Sequence, residues 1–363
     1  MNRFAVILAG GGGTRFWPLS RQDSPKQLLN LSGNDILINE TISRLEGIIS
    51  PTNTFIVTGK NQEDPLKELL LEGIPKENIF LEPIGRNTAP CILYSAMKLQ
   101  KMFGDGVMCV FPSDHYIENV AEMKNVLNKS INFATERECL LTIGIKPAYA
   151  APGYGYIRYS GDIVNALAYR VNDFIEKPNF QLAQEYVKSG SYLWNSGIFV
   201  WMISTIIESF KRFLPKIYDK MIEIVLAEDD KSTCDSTYHS ELAIDRLYPQ
   251  LQSISIDYGI LERAENVYVI PGEFGWNDVG SWDALGAIFR PDTNGNIVKA
   301  EHVGIDTRNS IIYGNSKIVS TIGLDSMIVV STEDALLICP KDRAQEVKNI
   351  VEKLRDSGKN NLL

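Results

Sequence analysis

The stretch that decides the fold is the start of the chain, where Phe4-Ala5-Val6-Ile7-Leu8-Ala9 passes directly into Gly10-Gly11-Gly12-Gly13-Thr14-Arg15, with Pro25-Lys26 shortly after. The pattern predicts a buried strand that leads into a phosphate-binding loop. Glycines let successive backbone N–H groups converge on anionic oxygens without a Cβ in the way. Arg15 and Lys26 are expected to supply positive charge. The alternative is a flexible turn without function.

Two well-known nucleotide-binding patterns do not fit this loop. A Walker A loop requires Gly-Lys-Ser/Thr where this chain has Arg15-Phe16-Trp17, and the dinucleotide fingerprint requires a third glycine where Arg15 stands. The position after a buried strand still favours a ligand site, because open α/β sheets bind ligands at the carboxyl ends of their strands.

Composition excludes several classes of protein. The 363 residues carry a formal net charge of −9, which argues against nucleic acid as the main partner. No apolar run approaches the roughly 20 residues that span a bilayer, so we expect no membrane partner. The five cysteines form no Cys-x-x-Cys pair, which is typical of reduced thiols in a cytoplasmic protein. They are Cys91, Cys109, Cys139, Cys234 and Cys339.

Apolar patterns along the first 290 residues alternate between strand and helix. Such alternation predicts βαβ units and a mostly parallel sheet. The predicted strands are Phe4–Ala9, Thr54–Thr58, Asn78–Leu81, Val107–Phe111, Leu140–Ile145, Tyr192–Trp201 and Ile254–Tyr258. The predicted helices are Ile36–Ile49, Asp64–Leu71, Thr88–Phe103, Val120–Glu136, Ser204–Phe213, Lys216–Leu226 and Ser281–Phe289.

The texture changes near Pro291, where short Val/Ile runs are separated by Asn, Gly and Asp. This pattern predicts a small module of short strands in 291–363, apart from a domain spanning 1–290. The stretch Arg343–Arg355 has apolar residues at helical spacing, which suits a docked helix. None of the charged motifs described below lies in the module, so we expect it to serve assembly rather than chemistry.

Two acidic residues follow strand or turn signals at distant places. Asp114 lies in Phe111-Pro112-Ser113-Asp114-His115, and Asp278 lies between two tryptophans in Trp276–Trp282. Mg²⁺ takes one or two protein carboxylates and completes its shell with phosphate and water oxygens, so this pair is a candidate metal site. The alternatives are that Asp278 caps a helix and that Asp114 closes a turn.

Further polar motifs suit a sugar phosphate. Glu176 and Asp257 can accept hydrogen bonds from sugar hydroxyls, Lys177 can meet a phosphate, and Asn195 lies among aromatic residues. The alternative for Glu176 and Lys177 is a surface ion pair worth under about 1 kcal/mol.

The loop Glu82–Pro90 offers groups that can read a nucleobase edge. Helix capping by Asn87 or Thr88 explains the loop equally well. His115, His239 and His302 form no metal-binding cluster with the cysteines in the sequence, and no Ser/His/Asp nucleophile elbow is present.

Taken together, these motifs resemble the sugar-nucleotide pyrophosphorylases, and within them the mannose-1-phosphate guanylyltransferases. The resemblance runs from residue 1 to about 285. It is carried by the opening loop with Trp17-Pro18 and Pro25-Lys26-Gln27, and by Arg86–Pro90, Phe111–His115, Phe174–Pro178, Trp194–Gly197, Ser255–Gly259 and Trp276–Trp282.

The resemblance implies a Rossmann-like, GT-A-like α/β domain with a mixed sheet flanked by helices. It also implies a short left-handed β-helix-like module with a terminal helix at the C-terminal end. The implied partners are GTP, mannose 1-phosphate, GDP-mannose and pyrophosphate, with Mg²⁺ as cofactor and a homodimer as assembly. Two alternatives remain. The protein could use another base or another sugar 1-phosphate, such as manno-heptose 1-phosphate, or it could be a catalytically silent regulatory subunit.

The resemblance also implies roles for individual residues. Arg15 and Lys26 are the expected catalytic residues, and Asp114 and Asp278 the expected metal ligands. The expected nucleotide-binding residues are Gly10, Gly11, Gly12, Gly13, Thr14, Glu82, Asn87, Thr88 and Ser113. The expected sugar phosphate-binding residues are Gly155, Glu176, Lys177, Asn195 and Asp257.

Overall fold

The larger part of the chain is built on one nine-stranded sheet. The computed structural model describes residues 1–165, 167–227 and 243–363, so Cys234 and His239 lie outside the described residues. The strands are β1 (Arg3–Ala9), β2 (Thr54–Gly59), β3 (Ile79–Glu82), β4 (Val107–Pro112), β5 (Tyr116–Ile117), β6 (Leu140–Ile145), β7 (Gly155–Val164), β8 (Ala168–Glu176), β9 (Tyr192–Met202), β10 (Val267–Gly272) and β11 (Trp276–Asn277). Strands β5 and β11 form a separate two-stranded ribbon.

The sheet order is β3-β2-β1-β4-β9-β6-β10-β8-β7. Strands β3, β2, β1 and β4 are parallel, as is the pair β6 and β10, whereas β9 runs antiparallel to its neighbours β4 and β6. The expected mixed, Rossmann-like sheet is therefore confirmed. Because β1 lies between two parallel neighbours, the glycine loop leaves the sheet at the carboxyl ends of strands β1 and β4.

Helices cover both faces of the sheet. They are α1 (Leu37–Ser43), α2 (Glu63–Leu69), α3 (Thr88–Phe103), α4 (Val120–Glu136), α5 (Phe180–Ser189), α6 (Ile203–Phe213), α7 (Pro215–Ala227), α8 (Leu285–Ile288) and α9 (Val347–Asp356), and residues 243–247 are also helical. Helices α3, α6 and α7 share one core cluster, and α4 belongs to the cluster on the other face. No helix among the described residues is long and apolar enough to cross a membrane.

The continuous apolar run of β1 follows from this double cover. Phe4 and Val6 pack into the cluster that contains α3, whereas Ala5 packs into the cluster that contains α4. All three side chains are at most 1% exposed. A strand buried on both faces needs apolar residues at successive positions rather than at alternate ones.

The C-terminal module is a short stack of coils. Its strands are β12 (Ile297–Lys299), β13 (His302–Ile305), β14 (Ile311–Gly314), β15 (Val319–Ile322), β16 (Met327–Ser331) and β17 (Leu336–Pro340). The chain alternates between two parallel sheets, β12-β14-β16 and β13-β15, and β17 closes the first sheet as an antiparallel edge. This arrangement confirms the expected β-helix-like module, while the boundary at residue 290 stays a prediction.

One predicted strand is wrong. Residues Ile254–Tyr258 do not form a strand, and a π-helical turn spans Asp257–Leu261 instead. Ile256 and Ile260 are both buried in the cluster that contains α3. The alternation of Ile254 and Ile256 suggested a strand, but burial of residues four apart on one side favours a helical turn.

Other elements differ in extent. The predicted helix Ser281–Phe289 is a 3-10 turn at Trp282–Ala284 followed by the short α8. Strands β8 and β10 were not predicted. Strand β8 carries mostly exposed or half-buried residues, so the sequence shows no apolar run there.

The module docks directly on the glycine loop. One core cluster joins Phe16 and Trp17 of the loop and Trp282 with Val347 and Val351 of α9. Two polar contacts add to it: Trp17 Nε1 donates to the Leu362 carbonyl at 2.8 Å, and the Arg21 guanidinium pairs with Asp334 at 2.9 Å. The glycine loop and the C-terminal module therefore share one hydrophobic core.

Trp282 is the centre of that core, and its removal tests the shared packing. The side chain is 0% exposed, packs on Phe16 and Tyr313, and donates to the Trp17 carbonyl at 3.1 Å. We expect Trp282→Ala to lower the free energy of unfolding by about 3–5 kcal/mol, because it leaves a large cavity.

Denaturant unfolding followed by circular dichroism measures this change, with Phe180→Ala as the matched control. Phe180 is 57% exposed, so its removal is expected to cost less than about 1 kcal/mol. Equal losses in the two variants would contradict a core shared between loop and module.

Candidate active site

Two clefts open at the carboxyl end of β1. The first has a volume of about 300 Å³, and we call it the phosphate cleft after the ligand that the sequence predicts for the glycine loop. It is lined by Gly13, Thr14, Arg15, Phe16, Lys26, Asp114, His115, Asp278, Gly280 and Lys348. The second has a volume of about 370 Å³, and we call it the nucleoside cleft after the nucleobase that the sequence predicts for the loop Glu82–Pro90. It is lined by Leu8, Gly10, Gly11, Val57, Glu82, Gly85, Asn87, Thr88, Cys91, Pro112, Asn195, Gly197, Phe199 and Asp257.

Close packing between Gly13 and Lys26 fixes the glycine loop. Gly13 has φ of 58°, a left-handed conformation that L side chains rarely adopt. A Cβ at this position would lie 2.3 Å from the Cβ of Lys26. Glycine is therefore required here both by the backbone angle and by the space, and the loop holds the lysine backbone in place.

Lys26 is the most constrained charge in the site. It is 5% exposed, and its ammonium donates to Asp114 Oδ2 at 2.9 Å and to the Asp278 carbonyl at 2.7 Å. Burial alone would raise the pKa of Asp114, but the charge of Lys26 and the hydrogen bonds from Lys26 and from the Asp114 backbone, with a contribution from His115, together hold that pKa below its ordinary value. Asp114 is thus an ionised carboxylate beside a buried cation.

A small ribbon brings Asp114 and Asp278 to the same cleft. Strand β5 begins two residues after Asp114, β11 ends one residue before Asp278, and the two strands pair in antiparallel register with Asn277 opposite Tyr116. The predicted acid pair is therefore assembled by local pairing of distant segments.

The proposed capping role of Asp278 does not match its contacts. Ser281, not Asp278, precedes the turn at Trp282–Ala284. The carboxylate oxygen Oδ1 of Asp278 accepts hydrogen bonds from the Tyr154 hydroxyl at 2.9 Å and from the Gly280 amide at 3.1 Å. These contacts orient the Asp278 carboxylate towards the phosphate cleft.

A group of aromatic residues contacts Asp278 and His115. Tyr154 packs edge-on against both Trp194 and Trp276. Trp276 Nε1 donates to His115 Nδ1 at 3.1 Å, and burial lowers the pKa of His115 to about 4. His115 is accordingly a neutral, structurally fixed imidazole rather than an additional cation.

Glu82 is the acidic residue of the nucleoside cleft. It is 5% exposed at the end of β3 and accepts a hydrogen bond from the buried Tyr248 hydroxyl. Burial raises the pKa of Glu82 to about 7, although the hydrogen bond from Tyr248 acts in the opposite direction. A carboxyl group with this pKa can change its protonation state when a hydrogen-bond donor binds.

The predicted sugar residues largely come together. Gly155 pairs with Glu176 in the register of β7 and β8, and Asn195 Nδ2 donates to Asp257 Oδ1 at 2.8 Å. Burial, aided by repulsion from Glu176, raises the pKa of Asp257 to about 6. Lys177 differs from the other four, because its side chain is 62% exposed and forms an ion pair with Glu176. This contact fits the alternative interpretation of Glu176 and Lys177 as an ion pair at the surface.

The remaining predicted residues take more varied positions. Arg15 donates to the Gly280 carbonyl at 3.4 Å. Asn87 caps α3 through the Thr88 amide, and the Thr88 hydroxyl accepts from the Ile256 amide, so both also serve structure. Gly12 and Ser113 belong to the described residues but line neither cleft.

Several residues at the site were not predicted from the sequence. Tyr248 reaches Glu82 across 166 positions, and Tyr154 reaches Asp278 across 124 positions. Tyr154 lies in the turn directly before β7, but no local pattern distinguishes Tyr248. Within the described part of the chain, no group of three or more His, Cys, Asp or Glu side chains is placed to hold a metal ion.

Comparisons with known proteins agree with this architecture. Residues 4–295 match the nucleotidyl transferase family, and residues 292–354 match a MannoseP isomerase/GMP-like beta-helix domain. The alginate biosynthesis protein AlgA of Pseudomonas fluorescens is 38% identical over 358 residues, covering 98% of this chain and 72% of that protein. The mannose-1-phosphate guanylyltransferase of Escherichia coli K12 is 35% identical over 361 residues, covering 98% and 74%.

A solved structure is similar along its whole length. The protein described as mannose-1-phosphate geranyltransferase from Thermus thermophilus aligns with a TM-score of 0.87 and 33% identity. The alignment covers 98% of this chain and 100% of that chain.

The raised pKa of Glu82 predicts a pH dependence of stability. Between its ordinary value of 4.5 and about 7, the unfolded chain has released this proton while the folded chain retains it, so stability falls as the pH rises. Glu82→Gln does not titrate. We expect its free energy of unfolding, relative to wild type, to rise by up to about 3 kcal/mol from pH 4.5 to pH 8.

Denaturant unfolding at several pH values measures the difference. Glu68→Gln, the same substitution at an exposed position of α2, serves as the control. A constant difference between wild type and Glu82→Gln over the whole pH range would contradict a raised pKa at Glu82.

Proposed function

The chain belongs to the nucleotidyl transferase family, and on that basis we propose that it transfers GMP from GTP to α-D-mannose 1-phosphate, giving GDP-mannose and pyrophosphate. Membership in the family makes the chain an enzyme that acts on a nucleoside triphosphate and a sugar phosphate. The base, the sugar, the metal and the catalytic roles below are parts of the proposal.

The observation that carries the proposal is that the glycine loop contributes residues to both clefts. The phosphate cleft contains Arg15 and Lys26 with the amides of the glycine loop. The nucleoside cleft begins at Gly10 and Gly11 of the same loop. A nucleotide that lies across the loop can place its base and sugar in one cleft and its phosphates in the other.

Guanine is the base that suits Glu82. The N1–H and 2-amino groups of guanine are adjacent donors, and a carboxylate offers two acceptors to them. Adenine has an acceptor at N1, so a carboxylate oxygen opposite it would face a second acceptor and form no hydrogen bond. Because the pKa of Glu82 is about 7 without a ligand, donors from guanine would favour its ionised form.

Mannose 1-phosphate is assigned to the group formed by Gly155, Glu176, Asn195 and Asp257. Two carboxylates and one amide offer several acceptors and a donor to sugar hydroxyls. Lys177, on the exposed side of Glu176, would meet the phosphate of the sugar. The E. coli relative is named for this sugar phosphate and for guanylyl transfer.

The carboxylates of the phosphate cleft fit a Mg²⁺ ion. Lys26 engages Oδ2 of Asp114, and Tyr154 and Gly280 engage Oδ1 of Asp278, so each carboxylate keeps a second oxygen for a ligand. A Cβ at Gly280 would approach Asp278 Oδ2 to 3.0 Å, and glycine leaves that oxygen accessible. Two carboxylates plus phosphate and water oxygens form the ligand set Mg²⁺ prefers, and bound Mg²⁺ would neutralise charge on the phosphates.

The proposed reaction is an in-line displacement without a protein nucleophile. A phosphate oxygen of mannose 1-phosphate forms a bond to the α-phosphorus of GTP while the bond from that phosphorus to the oxygen bridging to the β-phosphate breaks. Pyrophosphate takes the electron pair and leaves. Lys26 would stabilise charge at the α-phosphorus, and Arg15 with the loop amides would hold the β- and γ-phosphates.

Alternative functions of the same fold are another base, another sugar such as a manno-heptose, or a silent regulatory subunit. The Thermus relative is named for a geranyl group instead, but the buried carboxyl group of Glu82 in the nucleoside cleft favours a base with hydrogen-bond donors. Lys26, Arg15, Asp114 and Asp278 are all present around one cleft, which favours catalysis over a silent role.

The cytoplasmic location and the homodimer stay predictions. The location is supported by four free cysteines among the described residues, Cys91, Cys109, Cys139 and Cys339.

A substrate panel tests the function directly. Pyrophosphate release is measured with GTP, ITP, ATP, UTP or dTTP against mannose, glucose and manno-heptose 1-phosphates, with and without Mg²⁺. We expect GTP with mannose 1-phosphate and Mg²⁺ to be fastest, and ATP to be at least about tenfold slower, because a mispaired polar group at Glu82 is costly. Faster turnover with another pair would replace the proposed substrates, and no turnover with any pair would reject the activity.

Charge-neutral variants test the metal pair. We expect Asp114→Asn and Asp278→Asn each to lower kcat by about 10²–10³ and to raise the Mg²⁺ concentration needed for half-maximal rate, because metal charge stabilisation is lost. Steady-state kinetics with a Mg²⁺ titration measures both effects. The control is Asp325→Asn on the surface of the C-terminal module, and thermal unfolding checks that each variant is folded. Turnover near that of wild type in either variant would remove that residue from the metal site.

A further inference from the structure

The C-terminal module contributes a charge to the phosphate cleft. The sequence led us to expect assembly rather than chemistry from residues 291–363, but Lys348 of α9 lines this cleft together with Arg15, Lys26, Asp114 and Asp278. This contribution is separate from the module's packing role, because Lys348 is exposed and belongs to no core cluster in the described part of the chain.

The position of Lys348 is fixed by its neighbours on α9. Val347 and Val351, one turn apart, are buried against the loop residues Phe16 and Trp17. Just before the helix, Gln345 Nε2 donates to Ser281 Oγ at 2.7 Å. Ser281 follows Gly280, whose carbonyl accepts from Arg15. The first turn of α9 is therefore attached to both sides of the phosphate cleft.

The three cations of the cleft differ in what they contact. Lys26 is held by Asp114 and by the Asp278 carbonyl, and Arg15 donates to Gly280. Lys348 makes no hydrogen bond or ion pair with any group in the described residues. A lysine with an unengaged ammonium at the mouth of an anion-binding cleft is suited to a phosphate as a point charge.

We infer that Lys348 is a substrate-binding residue that holds the pyrophosphate part of the nucleotide, that is, the β- and γ-phosphates of the triphosphate and the released pyrophosphate. This inference rests on the proposed function for the identity of the nucleotide. The α9 helix packs on the turn Thr14–Phe16, so Lys348 lies at the Arg15 end of the cleft. Lys26, held by Asp114 and the Asp278 carbonyl, would remain the contact to the α-phosphate.

The assignment predicts a selective loss of binding. Pyrophosphate and GTP both place phosphates at Lys348, whereas GMP carries only the α-phosphate. In Lys348→Ala we expect the Kd of pyrophosphate and of GTP to rise about tenfold or more, with the Kd of GMP changed less than about twofold. Lys348→Arg keeps the charge and should restore most of the affinity.

Isothermal titration calorimetry in Mg²⁺ buffer measures the three constants for wild type, Lys348→Ala and Lys348→Arg. Lys353→Ala removes an exposed lysine of the same helix that does not line the cleft, and should bind as wild type does. Three results would each overturn the inference. They are an unchanged Kd of pyrophosphate in Lys348→Ala, a rise in the Kd of GMP as large as that of GTP, and a wild-type protein that does not bind pyrophosphate.

The outcome is distinguishable from failure of the proposed function. Selective, Lys348-dependent binding of pyrophosphate by a protein that releases none in the substrate panel would reject the proposed activity and leave the role of Lys348 standing. Turnover with GTP and mannose 1-phosphate, combined with identical Kd values for wild type and Lys348→Ala, would support the proposed activity and reject the role of Lys348.

Discussion

The rest of the site depends on one buried ammonium group. Lys26 connects the loop after β1 to Asp114, 88 positions away, and to the backbone of Asp278, 252 positions away. A buried charge without partners is strongly destabilising, so these three segments are stable only when they meet at Lys26. The close contact of Gly13 with the Lys26 backbone extends this constraint to the glycine loop. The contacts of Lys26 therefore bring the glycine loop, Asp114 and Asp278 together in one cleft.

Positive charge is concentrated in one cleft although the chain as a whole is negatively charged. The protein has a formal net charge of −9, yet Arg15, Lys26 and Lys348 converge on one cleft. Such local concentration, with low-dielectric walls, attracts anions to the cleft although the surface as a whole repels them. The carboxylates of Asp114 and Asp278 lie among these cations, and this mixture is the reason that we propose a phosphate chain with a divalent ion, rather than a bare anion, as the ligand.

Local sequence patterns predicted most of the central fold. Helices α3 and α4 and strand β6 have the predicted bounds, because each combines a clear apolar period with a turn or cap at its ends. Strand β8 was missed because little of it is buried, and Ile254–Tyr258 was assigned wrongly because a short alternation also fits a helical turn. Tyr154, Tyr248 and Lys348 reach the site through packing across long separations, which no local spacing encodes. The sequence therefore predicted the polar motifs that a family resemblance identifies, but it did not predict the residues that support them.

The contact between Trp17 and the Leu362 carbonyl has a consequence for biosynthesis. These residues are 345 positions apart, so a segment that leaves the ribosome early finds its partner only once Leu362 has emerged. Phe16 and Trp17 remain without the apolar cover of α9 until then, and contacts at such separation are slow to form. A nascent chain can complete its central sheet beforehand, but the wall that carries Lys348 is added later. The core around Phe16 and Trp17 is therefore completed only near the end of synthesis.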